Sequence, residues 1–306
     1  MLNQNPVDMF IDPELDAKMV RDGFIVLPFI NKQEIERFQE IYKKWHPEHP
    51  KAFYKSYFDP RMEYKLEVEN EITRVFKEKF STVFRDYNAF GGLFVVKPPT
   101  QEGHLPPHQD WSFVDERKDW SINMWCPLKD VTDENGNIIV LKGSHQFNRT
   151  IRGVGTPDVY RDHWKLIERN MQSVPLKAGE AIFFFHGLLH GSTLNTTPNS
   201  RVSLGLTLTP KNVQHYFHFM EDVDGKKQLE RFETIPDFYI DYASKRGARP
   251  EGEAKLDPFT FDSLSENDLI EQIRSVRGDV NVFESTKKAK IATNWLRKIK
   301  KSILKT

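Results

Sequence analysis

The segment HLPPHQD (104–110) holds an imidazole and a carboxylate two positions apart, those of His108 and Asp110. In an extended chain the side chains at i and i+2 point to the same side, so these two groups converge. A second imidazole, that of His190, follows a strongly apolar run later in the chain. Two imidazoles and one carboxylate on one face of a ferrous ion leave coordination positions open, as in non-haem Fe(II) oxygenases. We therefore expect His108, Asp110 and His190 to bind iron and to form the catalytic centre.

Three further histidines compete with these as ligands. His186 lies four residues before His190, and both can bind one metal if the segment is helical. The apolar run before His186 and the residue Gly187 after it favour a strand followed by a loop. We therefore expect His186 to pack near the site without binding metal and His145 to make a structural hydrogen bond, while His104 stays an alternative ligand.

An arginine lies at the start of the alternating stretch RVSLGLTLT (201–209). Val202 and the leucines face a packed layer, which leaves Arg201 and Ser203 on the opposite face. A guanidinium grips a carboxylate through two parallel hydrogen bonds. We expect Arg201 to bind the distal carboxylate of 2-oxoglutarate as a cosubstrate, with the Ser203 hydroxyl on the same group and the keto-acid end of the molecule on iron.

Helical patterns dominate the first third of the chain. Residues 13–22 and 66–87 have helical character, and Asn31 with Glu34 predicts a capping box that opens another helix. From residue 89 the pattern changes to short apolar or alternating runs separated by turns. Strands are predicted at 24–27, 89–97, 121–128, 137–142, 181–185 and 201–209. The fold class is therefore mostly β with flanking helices, with a β-barrel or a double-sheet jelly-roll (cupin-like) core.

Strand 121–128 alternates between two faces. Ile122 and Cys126 share the apolar face, so we expect Cys126 to be a buried, inert thiol. Asn123 and Trp125 lie on the opposite face.

Two connecting segments carry local signals. Asn135-Gly136 predicts a hairpin turn into the strand 137–142. Segment 150–172 is polar and rich in glycine, arginine and tyrosine, which indicates a lid or an insertion beside a site.

Five stretches carry motifs in a specific order. They are RDGFIVLPFINKQEIERF (21–38), VKPP (96–99), HLPPHQD (104–110), ENGNIIVLKGSH (134–145) and AGEAIFFFHGLLHGSTLNTTPNSRVSL (178–204). Together they resemble the phytanoyl-CoA dioxygenase family of Fe(II)/2-oxoglutarate-dependent oxygenases. The short motif HxD is weak alone, but its order with the two following blocks is specific. The similar region spans roughly residues 13–210.

The resemblance implies a double-stranded β-helix that carries the three iron ligands named above, with Arg201 as the 2-oxoglutarate clamp. It also suggests Ser203 and Trp125 as cosubstrate neighbours. Relatives that halogenate have a small residue in place of the carboxylate ligand, so the presence of Asp110 favours hydroxylation or a related oxidation.

A substrate pocket is expected beside the metal. Trp111, Phe113 and Trp120 follow the metal motif closely, and we expect them to line this pocket together with Asn123. Packing of the three aromatic rings in the core is an equally favoured interpretation.

Composition excludes several classes of protein. Lys+Arg and Asp+Glu total 44 each, so the formal net charge is zero and nucleic-acid binding is not expected. The single cysteine excludes an internal disulfide and a cysteine-built zinc site. No apolar stretch approaches the roughly 18 residues of a membrane span, and the N-terminus lacks the pattern of a secretory signal. We therefore expect a cytoplasmic protein.

The chain is expected to contain one catalytic domain and an extension. The dioxygenase domain is predicted at 1–250, with a helical part at 1–88 and the jelly-roll core at 89–210. The extension 251–306 ends in a lysine-rich segment without acids, 287–306, which predicts a basic amphipathic helix. Such a helix meets an anionic membrane surface or an acidic partner, or it docks on the mildly acidic body of the protein.

The expected function is oxidation of an unactivated C–H bond of a small organic metabolite, with O2 consumed and with succinate and CO2 as coproducts. A biosynthetic tailoring role is favoured over an acyl-CoA or lipid hydroxylase because no basic cluster near the motifs marks a CoA phosphate site. Two competing hypotheses are a cupin-like metal enzyme that does not use 2-oxoglutarate and a binding module with a vestigial site.

Overall fold

The computed structural model describes residues 8–100, 104–147, 150–245, 247–259 and 263–282. The helices are α1 Pro13–Asp22, α2 Lys32–Trp45, α3 Met62–Val83, α4 Trp164–Asn170, α5 Pro236–Tyr242 and α6 Glu266–Arg277. The strands are β1 Phe24–Pro28, β2 Tyr54–Lys55, β3 Tyr87–Lys97, β4 Leu105–His108, β5 Ile122–Pro127, β6 Ile138–Val140, β7 Gln172–Val174, β8 Glu180–Phe185, β9 His190–Ser192, β10 Arg201–Pro210, β11 His215–Val223, β12 Lys226–Thr234 and β13 Lys255–Asp257. Among these residues no helix is both long and apolar enough to cross a bilayer.

The helices α2 and α3 can be compared with the helical segments predicted from the sequence. The capping box at the start of α2 is confirmed: the Asn31 side chain accepts from the Glu34 amide and the Glu34 carboxylate accepts from the Asn31 amide. The helix predicted at 66–87 is displaced, because α3 runs from 62 to 83. The chain turns at Asp86, whose φ is 30°, so the residues that follow enter β3 and cannot extend the helix.

Two antiparallel sheets form the jelly-roll core. One has six strands in the order β1-β8-β5-β10-β3-β2, and the other has four in the order β4-β9-β6-β7. Apolar residues from both sheets pack between them; Phe24, Trp125, Ile182 and Phe184 come from the first sheet and Ile138, Val140 and Val174 from the second. The mostly β fold with a double-stranded β-helix is therefore confirmed.

The outer face of the six-stranded sheet packs on α2 and α3. The side chains predicted for this face of β5 and β10 are buried there, including Ile122, Cys126 and Leu204. Cys126 is fully buried, and burial raises the pKa of its thiol well above the ordinary value. The predicted alternation of both strands is confirmed, and their other faces are turned toward the second sheet.

The hairpin predicted at Asn135-Gly136 is wrong. A turn is present, with Gly136 at φ 89°, but β6 after it pairs with β7 and β9 and does not pair with the strand before it. The preceding strand, β5, lies in the other sheet. The two-residue signal gives the turn correctly, but strand pairing in a jelly roll joins segments that are distant in sequence.

A third sheet and two short helices complete the described structure. Strands β11, β12 and β13 form an antiparallel sheet, and α5 packs its Tyr239 and Tyr242 with Phe217 and Phe232 of that sheet. The boundary at residue 250 stays a prediction; β13 pairs with β12 across it, and α6 packs two buried side chains against the core near α4. The predicted basic helix 287–306 lies outside the described residues.

Candidate metal centre and cosubstrate cavity

Strands β4 and β9 place two histidines opposite each other. His108 and His190 are cross-strand partners, and their ring centroids are 4.3 Å apart. Gly191 makes this approach possible, because a Cβ at this position would lie 2.8 Å from the carbonyl oxygen of Leu105. Any larger residue at 191 would push β4 away from β9.

The carboxylate of Asp110 completes a three-residue group. Its oxygens lie 4.0 Å from Nε2 of His108 and 3.6 Å from Nε2 of His190, and one ligand atom from each residue lies within 4.8 Å of the others. The side-chain convergence expected from the i, i+2 spacing is therefore present. Among the described residues this is the only group of three or more such side chains with metal-binding geometry.

Hydrogen bonds fix the tautomers of both imidazoles. Nδ1 of His108 lies 2.9 Å from the Pro106 carbonyl oxygen, and Nδ1 of His190 lies 2.9 Å from that of Leu188. A carbonyl only accepts, so each Nδ1 carries the proton and donates it. Each Nε2 then keeps a lone pair directed at the carboxylate of Asp110, which is the form that binds a metal.

Burial keeps these imidazoles neutral. It lowers the pKa of His108 to about 4 and lowers that of His190 as well. Burial alone would raise the pKa of Asp110, but the imidazoles of His190, His186 and His108, once protonated at acidic pH, hold it well below its usual range. Two neutral imidazoles and one carboxylate are the donor set that suits ferrous iron.

The backbone around Asp110 is tied to two neighbours. Its amide donates to the carbonyl of His186 at 2.9 Å, and its carbonyl accepts from Nε of Arg152 at 2.6 Å. The His186 side chain is engaged elsewhere, with Nδ1 2.5 Å from the Ser121 hydroxyl. His186 is therefore a buried neighbour of the metal group, outside the set of three converging ligand atoms.

Arg201 begins β10 and is buried between the two sheets. Its guanidinium lies 4.8 Å from the ring centroid of Trp125 and donates through one terminal nitrogen to the Gly136 carbonyl. Its Nε is buried without a hydrogen-bond partner among the described residues. Burial lowers the pKa of Arg201 to about 9. A buried cation with an unused donor is suited to an anionic ligand.

A buried lysine lies across the sheet from this arginine. Lys97 of β3 pairs with Arg201 of β10, and its ammonium donates to the Ser192 hydroxyl and the Thr193 carbonyl, both at 2.5 Å. Gly136 leaves room for the lysine stem, since a Cβ at that position would overlap it. Burial, with a smaller contribution from Arg201, lowers the pKa of Lys97 to about 7.

Two cavities meet at the metal group. The smaller one is lined by Trp125, Ser192 and Arg201, and the larger one, of about 600 Å³, opens on the other side. Both are lined by Lys55, Leu93, His108, Asp110 and Asn123. A ligand bound to Arg201 and a second ligand in the larger cavity would thus both reach His108 and Asp110.

The larger cavity contains three of the four residues predicted for a substrate pocket. Trp111, Phe113 and Asn123 line it, whereas Trp120 packs against the apolar core. Trp111 is at the rim, with 39% of its surface exposed, and Phe113 contacts the rings of Phe90 and Tyr239. Of the segment predicted as a lid, only residues 153–155 line the cavity, and its helical part packs into the core.

These residues lie in a region of the chain that matches a known protein family. A family model for phytanoyl-CoA dioxygenase matches residues 20–203, which is more than half of the chain and includes the three converging residues and Arg201. The chain belongs to the phytanoyl-CoA dioxygenase family.

Relatives in this family are distant from the chain. Phytanoyl-CoA dioxygenase 1 of Oryza sativa subsp. japonica is 30% identical over 117 residues, which are 37% of this chain and 42% of that protein. Phytanoyl-CoA dioxygenase of Arabidopsis thaliana is 28% identical over 139 residues, which are 43% of this chain and 49% of that protein. The chain thus spans about half the length of the curated relatives it matches.

A solved structure shows the same fold. The non-haem α-ketoglutarate-dependent carbocyclase SnoK from nogalamycin biosynthesis is 18% identical, with a TM-score of 0.50 over 67% of this chain and 86% of that one. At this identity the likeness establishes the architecture shared by the two proteins.

Ser203 lies in a different place from the one expected for a cosubstrate neighbour. Its hydroxyl is fully buried and donates to the carbonyl of Val95, so it is bound to β3 and does not line the smaller cavity. Ser192 lines this cavity instead. Because Ser192 is two residues after His190 in an extended strand, the i, i+2 argument already indicates it.

Two further cations near the metal group are not indicated by sequence spacing. Lys55 lines both cavities because β2 pairs with β3 beside the metal group. Lys97 is part of the VKPP motif, but its position beside Ser192 depends on the pairing of β3 with β10. Both placements depend on the tertiary structure, which local sequence patterns do not encode.

Proposed function

We propose that the protein uses ferrous iron, 2-oxoglutarate and O2 to hydroxylate, or otherwise oxidise, an unactivated C–H bond of a small organic metabolite. In the hydroxylation, one oxygen atom enters the substrate and the other enters succinate, while the keto acid loses CO2. The observation that carries this proposal is the Arg201 guanidinium, a buried cation that lines a cavity which also reaches His108, Asp110 and His190.

The three converging side chains would hold the iron. The two Nε2 lone pairs and the Asp110 carboxylate supply one face of ligands, and the fixed Nδ1 donors keep both rings in the metal-binding tautomer. Bound in this way, ferrous iron would activate O2, the oxidant, with electrons from the keto acid, which is chemistry that no side chain supplies. Related enzymes that halogenate have a small residue in place of the carboxylate ligand. Asp110 supplies this carboxylate here, so oxygen insertion is favoured.

The smaller cavity would hold 2-oxoglutarate. Arg201 binds the distal carboxylate, Trp125 packs against the guanidinium, and Ser192 supplies a hydroxyl to the same end. The Lys97 ammonium donates to the Ser192 oxygen, which leaves the Ser192 proton for the bound carboxylate. Lys55 lies where the two cavities meet, and its positive charge favours binding of the 2-oxoglutarate carboxylate next to the metal.

The larger cavity would hold the substrate and exclude water from the metal. Its volume is in the range of pockets for small organic molecules. Lys55 is the one lysine or arginine among the described residues that line it, which argues against the several phosphates of a CoA ester. We therefore propose a tailoring reaction on a free small metabolite in the cytoplasm.

The direct functional experiment measures succinate formed by the purified protein from 2-oxoglutarate in air, with and without added Fe(II). We expect iron-dependent succinate, slow without substrate, and its loss in Asp110→Ala. Arg201→Met is expected to raise the 2-oxoglutarate concentration needed for half-maximal rate by about tenfold or more.

Arg249→Met is the matched control, because Arg249 also pairs through its guanidinium but contacts Glu230 and lines neither cavity. Iron-independent succinate, or an equal effect of the two arginine substitutions, would contradict the proposal. A protein that binds iron and yields no succinate at any 2-oxoglutarate concentration would instead be a cupin-like enzyme without this cosubstrate.

A further inference from the structure

Two side-chain amides line the larger cavity next to the metal group. Gln109 donates from Nε2 to the Gly187 carbonyl at 2.6 Å, and Asn123 donates from Nδ2 to the Asp110 carboxylate at 3.1 Å. A carbonyl and a carboxylate only accept hydrogen bonds. The orientation of each amide is therefore fixed by its partner, with the nitrogen turned toward it.

The two amide oxygens are left for a ligand. Oε1 of Gln109 and Oδ1 of Asn123 have no hydrogen-bond partner among the described residues, and neither is among the buried atoms that lack a partner. They therefore remain accessible from the cavity that both residues line. With the carboxylate of Asp110 beside them, the inner end of the cavity offers mainly acceptors.

Aromatic side chains form much of the remaining wall of the cavity, beside glycines, Leu93, Val154 and Thr207. Phe90 and Tyr239 stack with centroids 5.4 Å apart, and the edge of Phe113 meets Tyr239 at 5.0 Å. Trp111 extends the aromatic surface to the rim. Flat apolar faces of this kind pack against the faces of rings.

Charges that could recognise an ionic substrate are few. Among the described residues that line the cavity, Lys55 is the single lysine or arginine and Asp110 the single acid. Both are assigned by the proposed function to the cosubstrate and the metal. A substrate carboxylate would also meet the two amide oxygens, which repel it.

We propose that the substrate is a neutral ring compound with a hydroxyl group, and that this hydroxyl donates its proton to the amide oxygen of Gln109, beside that of Asn123, while the ring packs on the aromatic side chains. This inference rests on the proposed function and adds the substrate class to it. An analogue without the donor leaves the amide oxygens desolvated and unpaired, so a site of this kind rejects it strongly. Gln109 and Asn123 thereby become specificity-determining residues.

Three probes of the same ring system test the proposal: naphthalenemethanol, its methyl ether and naphthoate. Their dissociation constants are measured by calorimetry with the full-length protein, loaded with Fe(II) and 2-oxoglutarate without O2. We expect the alcohol to bind about tenfold more tightly than the ether, since the ether has no donor, and naphthoate to bind most weakly. In Gln109→Met the preference for the alcohol over the ether should fall several-fold, with affinity for the ether unchanged.

Gln39→Met is the matched control, because Gln39 also donates from its amide to a backbone carbonyl, that of Leu128, and does not line the cavity. Equal affinities for alcohol and ether, tightest binding of naphthoate, or no binding of any probe would each overturn the inference. The absorbance of the iron–2-oxoglutarate complex is recorded in the same samples. A normal absorbance with no preference for the alcohol rejects only the substrate class, whereas a missing absorbance rejects the proposed function.

Discussion

His108 and His190 lie directly opposite each other on neighbouring antiparallel strands, with their ring centroids 4.3 Å apart. The pair is held at this distance by the close approach of β4 to β9 at Gly191. The metal group therefore depends on backbone packing as well as on the identity of its ligands.

Replacing Gly191 with alanine should weaken the metal site. The added methyl group would lie 2.8 Å from the Leu105 carbonyl oxygen, so β4 must move away and carry His108 with it. We expect a loss of about 1–3 kcal/mol of unfolding free energy and weaker Fe(II) binding. Urea denaturation and anaerobic Fe(II) titration measure the two effects.

Gly187→Ala serves as the control in the same segment, because its methyl group would meet nothing closer than 3.8 Å. If Gly191→Ala and Gly187→Ala bind Fe(II) equally well, the strand approach does not set the ligand geometry.

Replacing Lys97 with methionine should weaken 2-oxoglutarate binding without affecting Fe(II) binding. The Lys97 side-chain nitrogen donates to Ser192 at 2.5 Å and so positions this hydroxyl, which lines the smaller cavity. We expect about a tenfold loss of 2-oxoglutarate affinity in calorimetry. Fe(II) affinity should stay unchanged because Lys97 contacts none of the three ligands.

Lys65→Met is a matched control for this variant. Lys65 is also a buried lysine, but it donates to the Ile240 carbonyl and the Ser244 hydroxyl, away from both cavities. Equal losses of 2-oxoglutarate affinity in the two variants would show that removing any buried lysine has this effect.

The stability of the wild-type protein should depend on pH through Lys97. Burial lowers the pKa of this ammonium from 10.5 to about 7, so between these pH values the unfolded chain holds a proton that the folded chain has released. Stability contributed by this group therefore rises with pH across that window and is lowest below it. Urea denaturation of wild type and Lys97→Met at a series of pH values isolates the contribution.

The difference in unfolding free energy, wild type minus Lys97→Met, should increase from about pH 7 toward about pH 10. A difference that is flat, or that falls with pH, would mean that the lysine keeps its charge in the folded protein.

Local sequence patterns predicted the parts of the fold and site that depend on periodicity. The alternation of β5 and β10 placed Ile122 and Leu204 on the core face, and the two-residue spacing of His108 and Asp110 placed their side chains together. These inferences succeed because a strand has a strict period of two. The capping box at Asn31 is equally local and is present.

Features that depend on strand pairing were not predictable in this way. Ser203 shares a face with Arg201 in a flat strand, yet its hydroxyl is bound to the Val95 carbonyl of the neighbouring strand. Lys55 reaches both cavities through the pairing of β2 with β3, and Lys97 reaches Ser192 at the smaller cavity through the position that the pairing of β3 with β10 gives it. Each of these positions is set by residues far away in the sequence, which a single sequence does not reveal.

The visible absorbance of the protein with Fe(II) and 2-oxoglutarate, recorded without O2, tests the central claim most directly. Chelation of iron by the keto acid gives a charge-transfer band, and we expect this band in the wild type and its loss in Asp110→Ala. In Arg201→Met the band should appear only at about tenfold or higher 2-oxoglutarate concentration. A wild type without the band, or an Arg201→Met titration identical to that of the wild type, would contradict the assignment of the two cavities.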